Sequence, residues 1–300
     1  VNGLTLKHLR YFEALAQHGH FGRAAEACAI SQPALSVQVR ELEAILGASL
    51  VERGARRIRL TELGMALAAR ARDILRAVDD LGELARASSG PLTGRLRLGV
   101  IPTVAPYLLP AIIKALAAAH PALDLRPREA VTRTLLDDLT AARLDAALVA
   151  LPVAEPGLVE TPLFTEEFVL VRPAADEGRP VPGPEALRTM RLLLLEEGHC
   201  FRDQAIAFCS GGAAPRELME GSTLSTLVQM VGAGIGVTLI PEMAAPVEAR
   251  SAPVSIARLA PPRPSRTLGM VWRRTTPLAD QLGEIAAIVR KAAAGVPLEG

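Results

Sequence analysis

Apolar residues recur at helical spacing through the first part of the chain and gather into short runs further on. Over Leu4–His18 they fall at Leu6, Leu9, Phe12, Leu15 and Ala16, which predicts a helix. Phe21–Ala27 reads as a second helix. Ser31-Gln32-Pro33 opens a third: Ser31 is placed to cap it, and Pro33 suits a first turn where its missing N–H does no harm. Leu35, Val39, Leu42 and Leu46 line one face of that helix before Gly47 ends it. Leu50–Leu60 reads as a small hairpin turning at Gly54. A long helix starts at Thr61, with Leu63, Leu67, Ile74, Leu75, Val78, Leu81 and Leu84 at near-heptad spacing, the stripe of a helix that packs on a partner. Ser88-Ser89-Gly90-Pro91 then reads as a hinge.

From Gly94 the pattern changes. Strand-like runs at Leu96–Val100, Leu123–Glu129 and Asp145–Ala150 alternate with helical stretches at Pro106–His120 and Thr132–Arg143. The alternation continues through Phe168–Val171, Arg191–Leu195, Asp203–Cys209, Thr223–Ala233 and Val237–Ile240. A strand at Leu268–Trp272 and a helix at Ala279–Ala293 close it, and Val296–Gly300 reads as a tail. Such a succession predicts an α/β unit of parallel strands covered by helices, behind an all-α N-terminal unit.

Composition narrows the class. The chain has 300 residues, enough for two or three packed units, with 50% hydrophobic and 22% charged residues, as in an ordinary globular protein. No apolar run reaches the length of about 18 residues that a membrane span needs. The N-terminus lacks the basic, apolar, small-residue succession of a secretory signal, so a cytoplasmic location without membrane contact is expected. Net charge is only +1, and a nucleic-acid binder with that balance must concentrate its cations. Arg53, Arg56, Arg57 and Arg59 do so without an intervening acid.

A helix, a tight turn and a helix beginning at Ser31 suit insertion of the second helix into a DNA major groove. Gln32, Ser36 and Arg40 lie off its apolar face and are candidates to meet base edges, with Ser31 and Pro33 at the docking end. Arg53, Arg56 and Arg57 would track the phosphate backbone as a wing. On spacing alone, a small helical packing domain with a solvated basic loop accounts for the pattern equally well.

Three cysteines do not make a disulfide scaffold. Cys28 sits in the helical part and reads as a small core hydrophobe. Cys200 and Cys209 lie in Gly198-His199-Cys200-Phe201-Arg202-Asp203-Gln204-Ala205-Ile206-Ala207-Phe208-Cys209. A neighbouring cation or a helix N-terminus favours a thiolate, and Cys200 has both chances, through His199, Arg202 and the helix start after Gly198. A sulfenic acid on Cys200 would find Cys209 as a condensing partner. Nine helical residues at 1.5 Å each would separate the two by about 13 Å, so a bridge requires the helix to unwind. Other readings stay open: Cys209 as core filler and Cys200 as an exposed loop thiol. The gap between them does not suit close zinc ligands, and neither a metal nor a cofactor is expected.

Taken together, Ala24-Ala25, Ser31-Gln32-Pro33-Ala34-Leu35-Ser36, Leu42-Glu43, Leu46-Gly47, Leu50, Arg53, Leu60-Thr61 and Gly64 resemble the winged helix-turn-helix of LysR-type transcriptional regulators. Val37 departs from the polar or basic residue common there. The resemblance extends over nearly the whole chain. It implies a DNA-binding domain at 1–60, a dimerising linker helix at 61–87, a hinge at 88–93 and a two-lobed, periplasmic-binding-protein-like regulatory domain at 94–295. The first lobe would take in about 94–164 and 268–295, and the second about 165–267. It further implies a homodimer or homotetramer on operator DNA, contacting RNA polymerase.

Within that family, Gly198-His199-Cys200, Arg202-Asp203-Gln204-Ala205 and Phe208-Cys209 resemble the sensing segment of peroxide-responsive members. Ile101-Pro102-Thr103-Val104, Glu129-Ala130 with Thr132, and Met230-Val231 through Pro241 agree with it. By this match Cys200 reacts with hydrogen peroxide and Cys209 resolves the product. Thr103 and Thr132 would hold the peroxide or a water, His199, Arg202 and Arg266 would surround the thiolate, and Asp203 would partner His199 and Arg202. Antioxidant genes would be the targets, and a glutaredoxin or thioredoxin the reductant. Two other functions fit parts of the chain. One is a LysR-type regulator with a small organic effector between its lobes and incidental thiols. The other is a thiol peroxidase, an enzyme for which the DNA-reading half would have no purpose.

Overall fold

In a computed structural model the structure describes residues 3–52, 58–87, 93–210 and 218–295, without the side chains of 76, 79, 80, 83–87, 209, 210 and 218. The expected turn at Gly54, the arginines Arg53, Arg56 and Arg57, and the hinge at 88–91 lie outside the described residues. The chain divides into two compact units, Val1–Leu84 and Ala85–Gly300.

The first unit holds α1 (Leu6–His18), α2 (Phe21–Ala27), α3 (Gln32–Leu46) and most of α4 (Glu62–Ala87). Local chemistry sets the ends. The Thr5 hydroxyl accepts from the His8 N–H while the His8 ring reaches back to the Thr5 N–H. Ser31 Oγ accepts from the Ala34 N–H, and Gly47 ends α3 at φ 67°, a left-handed turn that glycine adopts without strain. Phe12, Leu15, Leu35, Leu42 and Leu50 are fully buried in one core.

Several residues of the sequence motif turn out to be ties between α3, the following strand pair and α4. Glu43 Oε1 accepts from the N–H groups of Leu50 (2.7 Å) and Val51 (3.2 Å). Val51 bridges Leu60, and the Glu52 N–H donates to the Arg59 carbonyl at 2.9 Å. Thr61 Oγ1 donates to the Ser49 carbonyl and accepts from the Gly64 N–H, both at 2.9 Å. A Cβ at Gly64 would run into the Leu50 carbonyl, so this close approach needs glycine.

The second unit runs β1 (Gly94–Val100), α5 (Ala105–Ala119), β2 (Leu123–Glu129), α6 (Thr132–Thr140), β3 (Ala146–Leu151), β4 (Leu158–Pro173), α7 (Pro184–Leu187) and β5 (Leu192–Leu195). It continues with α8 (Cys200–Ser210), β6 (Leu218–Gly221), α9 (Leu224–Gly232), β7 (Val237–Pro241), α10 (Ala245–Glu248), β8 (Val254–Arg258), β9 (Ser265–Arg273) and α11 (Ala279–Ala294). The strands order β2-β1-β3-β9-β4-β7-β5-β6, and β8 also pairs with β4.

The expected all-parallel arrangement is only half right. β1 pairs parallel with β2 and β3, and β5 with β6 and β7. β9 and β4 run antiparallel to each other, β9 antiparallel to β3, and β4 antiparallel to β7 and β8. Of these, β4 passes from one lobe to the other. Over Leu158–Glu167 β4 pairs with β9, and over Phe168–Pro173 with β7 and β8. Each lobe keeps its own apolar core. One contains Leu98, Ile101, Leu108, Leu135, Met270 and Ile285, the other Phe168, Leu193, Phe201, Leu227 and Leu239.

Candidate functional site

Three loops converge where parallel strands end. The segment after β1 carries Ile101, Pro102 and Thr103; that after β2 carries Val131 and Thr132; that after β5 leads through Gly198 and His199 to Cys200. The carboxyl edge of parallel strands is where α/β sheets place their ligands. Gly198 turns the chain at φ 97°, into the region that favours glycine, and α8 starts at Cys200. These segments enclose a cavity of about 10 Å³ lined by Pro102, Thr103, Thr132, His199, Cys200 and Phe201 among others. That is the scale of one small polar molecule and far below the size of an organic effector.

Successive residues enter different lobes. Cys200, a half-buried free thiol, packs on the first core, and Phe201, 1% exposed, fills the second. Phe201 meets Phe168 edge-on at 4.8 Å between ring centroids. Arg266 stands over the other side of this arrangement, its guanidinium carbon 5.7 Å from the centre of the Phe201 ring.

The hydroxyls differ. Thr103, 2% exposed, accepts at Oγ1 from Arg266 Nη1 (2.7 Å), and its carbonyl accepts from Nη2 (3.2 Å). Thr132 Oγ1 is buried with no hydrogen-bond partner among the described residues. A buried polar atom left unpaired is costly, so the cavity is built for a molecule that supplies hydrogen bonds.

The expected cations around Cys200 are otherwise engaged. Burial lowers the His199 pKa from 6.5, against a smaller opposing effect of Glu196, so the ring is neutral at neutral pH. Arg202 donates to the Leu195 carbonyl (2.8 Å) and pairs with Glu220 (2.6 Å). Its carboxylate partner is therefore Glu220 on β6, whereas Asp203 is exposed. Arg266 is fully buried and paired with Glu166: Nε donates to Oε1 at 2.8 Å, and Nη2 lies 2.7 Å from the same oxygen. The reason in each case is that a buried cation must be neutralised locally.

Two residues that sequence reasoning passed over belong here. Gln204 Oε1 is also buried without a partner among the described residues. It follows Cys200 by four residues, so helical spacing alone puts both on one face of α8. Glu166 gives no such signal, since its partners lie far along the chain. Elsewhere in the unit, Tyr107 donates to Glu248 at 2.7 Å, and Ser225 donates to the same oxygen at 2.9 Å, joining α5, α9 and α10. Burial, then the bond to Glu248, pushes the Tyr107 phenol up and keeps it a donor. A separate, apolar cavity of about 190 Å³ lies between Leu108, Phe164, Glu166, Met243, Arg290 and Ala293.

Cys209 stands at the far end of α8 from Cys200, with its backbone in the same helix. Cys28 caps the C-terminus of α2, and burial, with a smaller effect of Glu13, raises its pKa and holds it as a thiol. In the first unit Ser31, Gln32, Pro33 and Arg40 are exposed and Ser36 is half-buried. Arg40 Nε donates to the Ser36 carbonyl at 3.2 Å, so both sit on the face turned from Leu35, Val39 and Leu42.

Comparison with known proteins assigns both halves. Residues 6–65 match the bacterial regulatory helix-turn-helix proteins of the lysR family, and residues 89–294 match the LysR substrate binding domain. A probable hydrogen peroxide-inducible genes activator of Streptomyces viridosporus is 46% identical over 299 residues, spanning 98% of this chain and 96% of its own. The DNA-binding transcriptional dual regulator OxyR of Escherichia coli K12 is 40% identical over 293 residues, spanning 96% and 95%. Among solved structures, a full-length OxyR cysteine-to-aspartate variant from Pseudomonas aeruginosa superposes with TM-score 0.76 at 36% identity, covering 100% of both chains. A peroxide-bound cysteine-to-serine variant of Corynebacterium glutamicum OxyR gives 0.67 at 35%, covering 97% of this chain and 93% of that one. With one N-terminal helical reader, one two-lobed α/β domain and matches across both, the chain belongs to the LysR family of bacterial transcriptional regulators.

Proposed function

We propose that this protein is a DNA-binding regulator of antioxidant genes, switched by hydrogen peroxide through Cys200 and Cys209. The observation that carries the reading is the placement of the Cys200 thiol beside two threonine hydroxyls in a cavity sized for one small polar molecule. Relatives described as peroxide-inducible activators, and a peroxide-bound OxyR structure, support it.

The chemistry closes without a further reactant. The Cys200 thiolate attacks one peroxide oxygen; an S–O bond forms and the O–O bond breaks. Sulfur is oxidised to a sulfenic acid, and the departing hydroxide takes a proton and leaves as water. Thr103 donates toward the departing oxygen, where charge develops, and Thr132 bonds the same molecule. The Cys209 thiolate then attacks the sulfenic sulfur, forming S–S and releasing the hydroxyl as water. Along α8 the two positions stand about 13 Å apart, beyond disulfide reach, so this second step unwinds the helix. Loss of Phe201 from one core and Cys200 from the other couples that event to both lobes, the kind of order change that drives regulatory switches.

The remaining parts follow the family division: residues 1–60 read operator DNA, with Gln32, Ser36 and Arg40 at base edges and Arg53, Arg56 and Arg57 on phosphates. Residues 61–87 dimerise, 94–295 sense, and homodimers or homotetramers engage RNA polymerase. The protein consumes peroxide stoichiometrically, not as an enzyme, and a glutaredoxin or thioredoxin restores it. The 190 Å³ cavity favours a second reading, a small organic effector with incidental thiols.

Peptide mapping after peroxide treatment decides between them. The expected result is a Cys200–Cys209 bridge with Cys28 still alkylatable, and loss of the transcriptional response in Cys200→Ser. A bridge through Cys28, or a full response from Cys200→Ser, overturns the proposal. Replacing Arg56 or Arg57 is expected to weaken binding to all DNA sequences alike and to reduce the salt slope by about 0.9 for each phosphate no longer neutralised.

A further inference from the structure

Glu166 lies on β4 directly opposite Arg266 on β9. Both side chains are essentially inaccessible, at 2% and 0%. Glu166 Oε1 takes Nε and Nη2 of the guanidinium, and Oε2 takes the Met243 N–H at 3.3 Å. With Nε and Nη2 drawn to the carboxylate, the fork is fixed and Nη1 is aimed at Thr103 Oγ1. A guanidinium can only donate, so Thr103 must accept there. A hydroxyl has one hydrogen, and that of Thr103 has no acceptor among the described residues. The cavity that Thr103 shares with Cys200 is where it can find one.

We infer that Glu166 is a positioning residue for the peroxide reaction: by pinning Arg266, it keeps one lone pair of Thr103 occupied and turns the O–H hydrogen toward the peroxide at Cys200. Glu166 never touches peroxide. It acts through two bonded neighbours, and the effect is to orient the hydroxyl. An unconstrained threonine beside a thiolate and peroxide alternates between donating and accepting. With one lone pair taken by Arg266, Thr103 keeps its single O–H hydrogen free for the cavity, and a donor is what the oxygen leaving from the O–O bond requires. Thr132 has no comparable restraint and can serve either end of the same molecule. The two threonines therefore have unequal roles, oriented donor and adaptable partner, although the sequence offers them as equivalents.

The inference rests on the proposed peroxide reading, and wild-type protein separates the two. Rapid-quench measurement of Cys200 oxidation is run beside alkylation of the same thiol by iodoacetamide, which needs no oriented donor. Glu166→Gln is expected to slow oxidation by about 10- to 100-fold, the scale of a misplaced reacting group, and to leave alkylation within about twofold. In a Thr103→Val background Glu166→Gln is expected to add no further loss, since its effect passes through that hydroxyl. Should the single variant misfold, the paired apolar replacement Glu166→Met with Arg266→Met keeps the volume without a stranded charge, and the same selective loss is expected. Equal slowing of oxidation and alkylation overturns the inference, as does a full additional loss in the Thr103→Val background, or oxidation of either variant at the wild-type rate. If wild-type Cys200 itself ignores peroxide, the proposed function falls and this inference with it.

Discussion

Two helices of similar standing are anchored in opposite ways. The helix α3, proposed to meet DNA, carries a side-chain cap at its start, a left-handed glycine at its end, and Leu35, Val39 and Leu42 buried along one face. The helix α8, proposed to sense peroxide, begins beyond a left-handed glycine, and among its described side chains only Phe201 and Ala205 are buried. Gln204 places in its first turns a buried oxygen with no hydrogen-bond partner among the described residues. A segment with few buried apolar side chains opens at lower cost than one held along its whole length. In the proposed switch, reading DNA asks α3 to keep its shape while α8 has to lose its own. The number and placement of anchors follow that division.

The largest test removes the main anchor of α8. Phe201→Ala is expected to destabilise the reduced protein by about 3–5 kcal/mol and to speed Cys209 condensation relative to Cys200 oxidation. Denaturation and quenched mass mapping measure these, and a condensation rate that stays put would show that unwinding does not limit bridging. Leu35→Ala is expected to cost about 2–5 kcal/mol in the first unit and to abolish operator binding, with Cys200 reacting as before. Altered peroxide kinetics in that variant would break the separation of the two helices. Ser31→Ala, which removes only a cap, is expected to cost about 1 kcal/mol by urea titration.

The smallest effect concerns His199. Its folded pKa lies below 6.5, so the unfolded chain takes the proton first. Stability from its burial is complete above 6.5 and declines as the pH falls below it. His199→Gln should remove that slope from a denaturant midpoint measured against pH; an unchanged slope would assign it to other groups.

Much of the contrast was legible in the chain itself. Ser31, Pro33 and Gly47 announce both ends of α3 because capping is local chemistry. The start of α8 was legible for the same reason, through Gly198. The first half of β4 was not. Pro162 interrupts it, and the ladder to β9 shifts register between Pro162 and Phe164, so the alternation that marks a strand is broken there. That omission hid Glu166. Likewise β6 escaped notice, and with it Glu220, leaving Asp203 as the apparent partner of Arg202. Thr103, Thr132 and Cys200 were tied together by family resemblance and not by spacing, since they come from loops that only the sheet brings to one edge. Charges could be counted from sequence; which carboxylate silences which cation depended on strand pairing.

β4 is a single ribbon of 16 residues whose two ends belong to different ladders. Jaws joined by slack straps swing freely, and what happens in one leaves the other at rest. Lobes woven from a shared ribbon behave more like the two ends of a stiff spring. Displacing a few side chains near Glu166, midway along it, would be felt as torsion at both ends at once, and a reaction involving a single sulfur atom would thereby gain a lever much longer than itself.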